Sequence, residues 1–215
     1  MIAGIDEAGK GPVIGPMVVC GVMAEEEIFE ELKRLGVRDS KKLSKSRREE
    51  LFEQIERYCA LETVVLETVV LEAKELNELM KVKNINEILF DCYSAIIKKL
   101  KPEIAYVDSC DVDSERLSVK LEKATGVKVV AMHKADVRRV EVASASIVAK
   151  VLRDKRIEEI KKELGDFGSG YPSDPKTIEF LRSYYKLRGE FPPHSRTAWK
   201  TLKKVKDSVS QTKLF

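Results

Sequence analysis

The sequence has no hydrophobic run long enough to cross a membrane and no basic and apolar leader at its start. Its 215 residues are 43% hydrophobic and 35% charged, a balance typical of a globular chain and unlike that of a disordered or membrane-embedded one. The chain enters a strand pattern at once, where a secretion signal would begin with basic and apolar residues. We therefore expect a cytoplasmic protein with no membrane contact.

The sequence also lacks paired cysteines and a strong excess of one charge. Its cysteines, Cys20, Cys59, Cys92 and Cys110, form no CxxC pair and lie within apolar patterns. We expect reduced thiols in the core rather than disulfides or a zinc site. The 39 basic and 36 acidic residues leave a net charge of +3, which excludes a broad polycation. Any binding of nucleic acid must therefore come from local basic patches.

Strand and helix patterns alternate along the chain. Residues 2–6 and 13–23 are apolar and rich in β-forming residues, and the Gly-Lys-Gly-Pro turn between them predicts a hairpin. The other predicted elements are helices over 25–35 and within 39–59, a strand over 61–72, a helix over 73–101, strands over 103–108 and 127–132 with a helix over 114–124 between them, and helices over 137–164, 175–187 and 195–207. This order predicts a mixed α/β sheet with a helical C-terminal extension.

Four acidic residues fall at or just after the ends of predicted strands. Asp6 and Glu7 follow "IAGI", Asp108 follows "IAYV", and Asp136 comes shortly after "VKVVAM". If the first and fourth strands are parallel neighbours, their carboxyl ends bring Asp6 and Asp108 together. Adjacent residues of a strand point to opposite faces, so Glu7 joins Asp6 only if the strand loosens, which the glycines that follow would allow.

A cluster of carboxylates without histidine or cysteine is typical of a Mg²⁺ or Mn²⁺ site. Like charges in one pocket raise one another's pKa unless cations are present, and oxygen ligands favour hard divalent ions over zinc. Two such ions about 4 Å apart would activate water and stabilise the leaving oxygen of a displacement at phosphorus. We therefore predict two-metal phosphodiester hydrolysis, with Asp6 anchoring or bridging the ions. The alternative is that these acids are helix caps and surface ion pairs.

Further residues are candidates for contacts with nucleic acid. The segment Gly9-Lys10-Gly11 matches neither the phosphate-binding nor the dinucleotide motif. It is either a flexible turn or a place where backbone groups reach a ribose 2′-hydroxyl, which distinguishes RNA from DNA. The candidates for holding phosphates are Ser40, Lys41, Ser146 and Lys150, and the candidate for stacking on a nucleotide is Tyr171. The alternatives are solvated helix faces and a tyrosine at the edge of the core.

The motifs together resemble ribonuclease HII in its archaeal form. They are "GIDEAGKGPVIGPMVV", "VRDSKKLS", "AYVDS", "HKAD", "ASASIVAKVLRD" and "FGSGYPSDP", in family order, and "RTAWKT" is similar to the family's C-terminal part. The resemblance implies a ribonuclease H-like fold, an α/β fold with a five-stranded mixed sheet flanked by helices. It also implies a metal-dependent endonuclease that cuts the RNA strand of RNA–DNA hybrids and incises 5′ of ribonucleotides embedded in duplex DNA. The products would carry 3′-hydroxyl and 5′-phosphate ends.

Matched by motif, the resemblance also implies roles for individual residues. The catalytic acids and metal ligands would be Asp6, Glu7, Asp108 and Asp136. The sugar-reading loop would be Gly9-Lys10-Gly11, where lysine replaces the arginine of many members. Because that reading uses backbone groups, the replacement should matter little. Tyr171 matches the tyrosine that stacks at the RNA–DNA junction.

We expect a monomer of three segments. They are a catalytic core over 1–165, a substrate-binding helical extension over 166–207 and a flexible tail over 208–215. The last residues, Gln211–Phe215, resemble the start of the motif that binds the replicative sliding clamp, although the chain stops before the usual aromatic pair. A frayed end is the alternative.

Two other functions remain open at this point. One is another nuclease of the same fold, such as ribonuclease HIII, which usually carries an extra N-terminal domain, whereas the first motif here begins at residue 4. The other is a catalytically silent protein that binds hybrids. The presence of all four acids speaks against it, since a silent binder does not need a repulsive cluster.

Overall fold

The computed structural model describes residues 1–212, with side chains described as far as Ser210. The strands are β1 (Ile2–Ala8), β2 (Met17–Ala24), β3 (Val64–Leu71), β4 (Ile104–Asp108) and β5 (Lys128–Met132). The helices are α1 (Glu26–Arg34), α2 (Lys45–Ala60), α3 (Ala73–Leu79), α4 (Ile85–Leu100), α5 (Ser114–Thr125), α6 (Ala135–Arg138), α7 (Val140–Leu164), α8 (Pro175–Arg188) and α9 (Lys200–Thr212), and a short 3-10 helix spans Ser40–Lys42. None of the described helices is long and apolar enough to cross a membrane.

The strands form one mixed sheet in the order β3-β2-β1-β4-β5. β1 pairs antiparallel with β2 and parallel with β4, and β4 pairs parallel with β5. The predicted hairpin, the mixed sheet and the parallel first and fourth strands are therefore confirmed. Pairing in β1 continues as far as Ala8 opposite Val18, so Asp6 and Glu7 lie within the strand and not beyond its end.

One compact unit contains the sheet and helices on both of its faces. It comprises residues 1–8, 18–70 and 85–152. On one face, alternate residues of β2 such as Val18 and Val22 pack with α1, α2 and the first part of α7. On the other face, Gly21 lies against Ile96 and Leu100 of α4. The sheet is thus covered on both sides by apolar helix faces. The four cysteines are free thiols; Cys20 and Cys92 are buried, as predicted, whereas Cys59 and Cys110 are only partly buried.

Gly4 sets how closely α7 approaches β1. A Cβ atom on Gly4 would lie 2.0 Å from the carbonyl carbon of Glu141 and 2.3 Å from the backbone nitrogen of Val142. Ala143 and Ala145, on the same helix, are almost completely buried. The small residues at the start of α7 therefore permit the close packing on the sheet that the sequence predicts.

A second compact unit comprises residues 9–17, 71–84 and the chain from Arg153 onward. Its core joins the loop between β1 and β2 to the end of α7, to α8 and to α9; the core residues include Ile14, Ile157, Ile160, Phe167, Leu181, Leu202 and Val205. N-capping by Asp174, whose side chain accepts from the N–H of Lys176, begins α8 as predicted. The predicted division of the chain at residue 165 stays a prediction.

Two predicted helices differ from those in the structure. The helix predicted over 73–101 is two helices, α3 and α4. In the segment between them Met80 is only partly buried and Val82 is 81% exposed, so little apolar burial favours a continuous helix there. The last helix starts at Lys200 and continues to Thr212. It passes the predicted end at 207 because Val205 and Val209 are both buried. Residues 208–212 are therefore helical, and the predicted flexibility of the tail over 208–215 stays a prediction.

Candidate active site

Asp6 lies on the face of β1 that packs against α7. Its carboxylate is buried, accepts from the backbone N–H of Glu7 at 2.7 Å, and accepts from the hydroxyl of Ser146. The Oγ of Ser146 lies 2.9 Å from the Oγ of Ser40. Because a serine hydroxyl has a single proton, Ser146 donates to Asp6 and Ser40 donates to Ser146. A chain of two hydroxyls thus fixes the Asp6 carboxylate.

Glu7 points to the opposite face of β1, because the strand stays regular through Ala8. There the hydroxyl of Tyr93, on α4, donates to the Oε2 of Glu7 at 2.5 Å. Tyr93 is fully buried, and burial together with the charge of Glu7 raises the pKa of its phenol well above the ordinary value. The phenol therefore remains a donor. The loosening of the strand that would bring Glu7 beside Asp6 does not occur.

Asp108 and Asp136 are linked through the start of α6. The Oδ1 of Asp108, the last residue of β4, accepts from the backbone N–H of Ala135 at 2.7 Å. Asp136 follows in α6 and is 2% exposed. Its Oδ2 accepts from the Nζ of Lys41 at 3.1 Å, whereas its buried Oδ1 has no hydrogen-bond partner among the described residues. One oxygen of Asp136 is thus left for a ligand.

Burial and the neighbouring acids raise the pKa of Asp6 and that of Asp108. Burial raises the pKa of Asp6 well above its ordinary value, and the charges of Glu7 and Asp108 raise it further, against the hydrogen bonds that it accepts. Burial also raises the pKa of Asp108, with Asp136 adding to the effect. Burial lowers the pKa of Lys41, but its bond to Asp136 and the charges of Asp6 and Asp108 outweigh this and raise it. Negative charge in the cluster is therefore only partly balanced.

The carboxylate oxygens of this cluster are suitable ligands for a divalent cation, but their positions do not form a metal site. Within residues 1–212, no group of three or more His, Cys, Asp or Glu side chains is placed so that it could hold a metal ion. Asp136 is bonded to Lys41, and Glu7 lies on the other face of the strand from Asp6. Binding an ion there therefore requires the Asp136 side chain to leave Lys41. The partnerless oxygen of Asp136 and the raised pKa values of Asp6 and Asp108 favour such an ion.

The four candidates for phosphate contacts differ in their exposure. Ser40 and Ser146 are each 5% exposed and are bonded to each other, so they face the Asp6 carboxylate. Lys41 is exposed apart from its contact with Asp136. Lys150 lies one turn beyond Ser146 on α7 and is half-buried. The structure thus brings Ser40, Ser146 and Lys41 together near the acids, and their contact with phosphate stays a prediction.

In the second unit, Arg196 holds the loop between β1 and β2. Its Nε donates to the carbonyl oxygen of Gly15 at 2.8 Å, and its Nη1 donates to that of Lys10 at 3.2 Å. Its backbone N–H donates to Val13 at 2.8 Å. Gly9, with φ of +86°, would place a Cβ 2.6 Å from the Nε of Arg153. Only glycine fits at that position, because both the backbone conformation and the neighbour exclude a side chain.

Tyr171 lies beside the same loop. Its Cε1 is 3.7 Å from the position that a Cβ of Gly11 would occupy, and the guanidinium of Arg153 lies 5.4 Å from its ring centroid. Its side chain is 37% exposed, so part of the ring is open to a ligand. The structure therefore brings together Gly11, which belongs to the loop predicted to contact the ribose, and Tyr171, which is predicted to stack on a nucleotide.

Sequence reasoning missed Tyr93, Arg153 and Arg196. Tyr93 falls in the apolar stripe of α4, and periodicity cannot show that a hydroxyl in such a stripe faces an acid. Arg153 interrupts a series of apolar residues spaced by four along α7, which was the available signal. Arg196 begins a basic run in the sequence, and the sequence does not distinguish a buried arginine in such a run from the exposed ones.

The chain is similar to known proteins over nearly its whole length. The family model of ribonuclease HII matches residues 3–202. The chain belongs to the ribonuclease HII family. Ribonuclease HII of Archaeoglobus fulgidus is 53% identical over 209 residues, which are 97% of this chain and 98% of that protein. The crystal structure of ribonuclease H2 from Pyrococcus horikoshii OT3 is 39% identical, with a TM-score of 0.88, and the match covers 98% of this chain and 99% of that chain.

Membership in the ribonuclease HII family confirms the predicted enzyme class and fold. The chain is an endonuclease that acts on RNA–DNA hybrids and on ribonucleotides embedded in DNA, and its α/β fold is the ribonuclease H-like one. A solved structure of Bst-RNase HIII in complex with Mn²⁺ is 21% identical, with a TM-score of 0.80, and this chain covers 70% of it. At that identity the likeness shows the fold alone.

Proposed function

We propose that this chain hydrolyses the phosphodiester on the 5′ side of a ribonucleotide with Mg²⁺ or Mn²⁺ held by Asp6, Glu7, Asp108 and Asp136. The observation that carries the proposal is the partnerless, buried Oδ1 of Asp136, in a cluster with Asp6 and Asp108, whose pKa values are raised. Divalent ions held there would activate water for attack on phosphorus and stabilise the charge on the leaving oxygen. The products would carry 3′-hydroxyl and 5′-phosphate ends.

The residues of the chain position this reaction in separate ways. The hydroxyls of Ser40 and Ser146 and the N–H of Glu7 fix Asp6 as the anchor of the site. The N–H of Ala135 fixes Asp108. Asp136 would hold a cation in place of Lys41, and the exposed ammonium of Lys41 would then be available to bind a phosphate oxygen.

Recognition of the ribose is assigned to Gly9-Lys10-Gly11 and Tyr171. Backbone groups of the loop would hydrogen-bond the 2′-hydroxyl, and the exposed part of the Tyr171 ring would stack on the nucleotide. The proximity of Gly11 to the ring supports this assignment. Recognition of the 2′-hydroxyl by this loop would make a ribonucleotide in the substrate a requirement for cleavage.

Cleavage of three matched duplexes tests the proposed function. The duplexes carry zero, one and four ribonucleotides, and each is incubated with Mg²⁺, with Mn²⁺ and with EDTA. We expect cleavage of the last two with metal only, and its loss in Asp108→Asn, with Asp207→Asn on the exposed side of α9 as the matched control. Turnover by Asp108→Asn in Mg²⁺, or cleavage of the all-DNA duplex, would contradict the proposal.

We also infer that the C-terminal residues Gln211–Phe215 dock on the replicative sliding clamp. The ribonuclease HII of Archaeoglobus fulgidus has been solved in a complex with PCNA; its chain is 53% identical, has a TM-score of 0.87, and the match covers 95% of this chain and 96% of that one. Here α9 leads to Thr212, while residues 213–215 lie outside the described residues. Calorimetry with the clamp should show binding by the full chain and not by a chain lacking residues 211–215. Equal affinities would contradict the inference.

A further inference from the structure

Arg196 determines the direction of one peptide group in the loop that follows β1. Its guanidinium donates to the carbonyl oxygens of Lys10 and Gly15. No peptide bond among the described residues is cis, and the C=O and N–H of a trans peptide point in opposite directions. The N–H of Gly11 therefore points away from the guanidinium that holds the Lys10 carbonyl.

The N–H of Gly11 is placed for a ligand. Gly11 is exposed, and within the described part of the chain its N–H makes no hydrogen bond. The ring of Tyr171 lies beside it, 3.7 Å from the position of a Cβ on Gly11. A sugar stacked on that ring would thus present a hydroxyl oxygen to a donor that the protein leaves unused.

Burying the guanidinium of Arg196 costs free energy, and a role in shaping the loop accounts for its position. It is 0% exposed, it has no carboxylate partner among the described residues, and its Nη2 makes no hydrogen bond there. Burial and the neighbouring charge of Arg153 lower the pKa of its guanidinium. A buried cation in a repulsive setting contributes little to stability. Its donors are directed at loop carbonyls, so its effect lies in the shape of the loop.

We propose that Arg196 is a positioning residue for ribose recognition, which holds the Lys10 carbonyl inward and so presents the N–H of Gly11 to the 2′-oxygen of the substrate. Arg153 supports the same loop conformation, since it contacts Gly9 and the ring of Tyr171. The inference rests on the proposed function of this loop and adds the residue on which its selectivity depends.

The test is a ratio of affinities, measured with Ca²⁺ in place of Mg²⁺ to prevent cleavage. The dissociation constant of an all-DNA duplex is divided by that of the same duplex with one ribonucleotide. In Arg196→Met this ratio should fall about tenfold, the effect of losing one directed hydrogen bond, while binding of the all-DNA duplex stays the same. Arg196→Lys, whose ammonium can still reach a carbonyl, should keep part of the ratio. Arg57→Met, at an exposed position in the last turn of α2, is the matched control and should keep all of it.

The outcomes separate this inference from the function on which it rests. Equal weakening of both duplexes in Arg196→Met would show a role in general binding or folding, and an unchanged ratio would show that the loop does not need Arg196. Either result overturns the inference. A wild-type chain without preference for the ribonucleotide would instead overturn the proposed function of the loop.

A second variant removes the Gly11 donor without touching Arg196. A synthetic peptide of residues 1–19 with an ester in place of the amide at Gly11 can be ligated to a chain beginning at Cys20, with the all-amide product as the control. We expect the ester to lower the ratio as much as Arg196→Met does. Combining the two changes should lower it no further, since both act through one hydrogen bond. An ester chain with full preference would overturn the inference.

Discussion

At the scale of single residues, the acids of the candidate site are held by different kinds of hydrogen-bond partner. Asp108 is fixed by a backbone N–H and Asp6 by Ser146 and the N–H of Glu7, so both are already oriented. Asp136 instead shares one oxygen with Lys41. The acids therefore differ in what must change when an ion binds, and Asp136 must change most.

Tyr93→Phe should weaken metal binding without unfolding the protein. The phenol orients Glu7 through one short hydrogen bond, and loss of a group that orients a metal ligand typically costs about tenfold in metal affinity. Calorimetric titration with Mn²⁺ measures the change, and thermal unfolding without metal checks the fold. An unchanged Mn²⁺ affinity would show that Tyr93 does not position Glu7.

Asp6→Asn should stabilise the metal-free protein at alkaline pH. Burial and the charges of Glu7 and Asp108 raise the pKa of Asp6, so the folded state binds its proton more tightly than the unfolded chain does. Stability therefore falls as the pH rises from the unfolded value of about 4 through the folded pKa. Asparagine removes this loss.

Urea unfolding with EDTA measures the stability of Asp6→Asn. The variant should gain about 1 kcal/mol or more over the wild type near pH 8, and less than that near pH 4.5. Added Mg²⁺ should reduce the gain, because it stabilises the wild type selectively. A variant less stable than the wild type at the higher pH would contradict the expected repulsion.

The sequence predicts the acids of the site better than their partners. Asp6, Glu7 and Asp108 could be predicted because strand alternation and strand ends are local features. The alternation also places Glu7 on the other face, as the structure has it. The bond between Tyr93 and Glu7 joins residues 86 positions apart, and no local pattern contains it. Arg196 and Lys10 are separated still further along the chain.

At the scale of elements, the close contact between β1 and α7 places Ser146 against Asp6. A helix that carries small residues on one face can bring its backbone into contact with that of a strand only where the strand has glycine. Local periodicity was enough to predict most helix bounds. It failed between α3 and α4 and at the end of α9, where burial of particular residues, such as Val209, decides whether a helix continues.

Gly4→Ala should be strongly destabilising. The added Cβ would meet backbone atoms of Glu141 and Val142, which cannot rotate away, so we expect a loss of about 3 kcal/mol in the free energy of unfolding. Gly189→Ala is the informative comparison, because that position has open space but a φ of +77° and should lose only about 1 kcal/mol. Equal losses in urea unfolding would show that the contact at Gly4 relaxes easily.

At the scale of the whole molecule, the second compact unit is assembled from three separate stretches of chain. Residues 9–17 and 71–84 join the chain from Arg153 onward. The helical extension predicted over 166–207 is only part of this unit. Shifts in composition along a sequence reveal linkers between consecutive segments. They cannot reveal a unit whose parts alternate along the chain with the parts of another unit.

A chain cut after residue 165 should not keep the second unit folded. The cut removes Leu181 and Leu202, which cover Ile14 and Ile157 in the core of that unit. We expect the shortened chain to bind a hydrophobic dye and to lose cooperative thermal unfolding, with the full chain as the control. A shortened chain that unfolds cooperatively and binds no dye would instead support the predicted boundary at 165.

The contact at Gly4 also has a consequence for how this protein can change over generations. A side chain at residue 4 is accommodated only if the backbone near Glu141 and Val142 moves at the same time. That backbone belongs to the helix that carries Ser146. Drift at residue 4 is therefore coupled to drift along α7, and the two stretches are subject to joint selection although neither residue 4 nor residue 141 takes part in the chemistry.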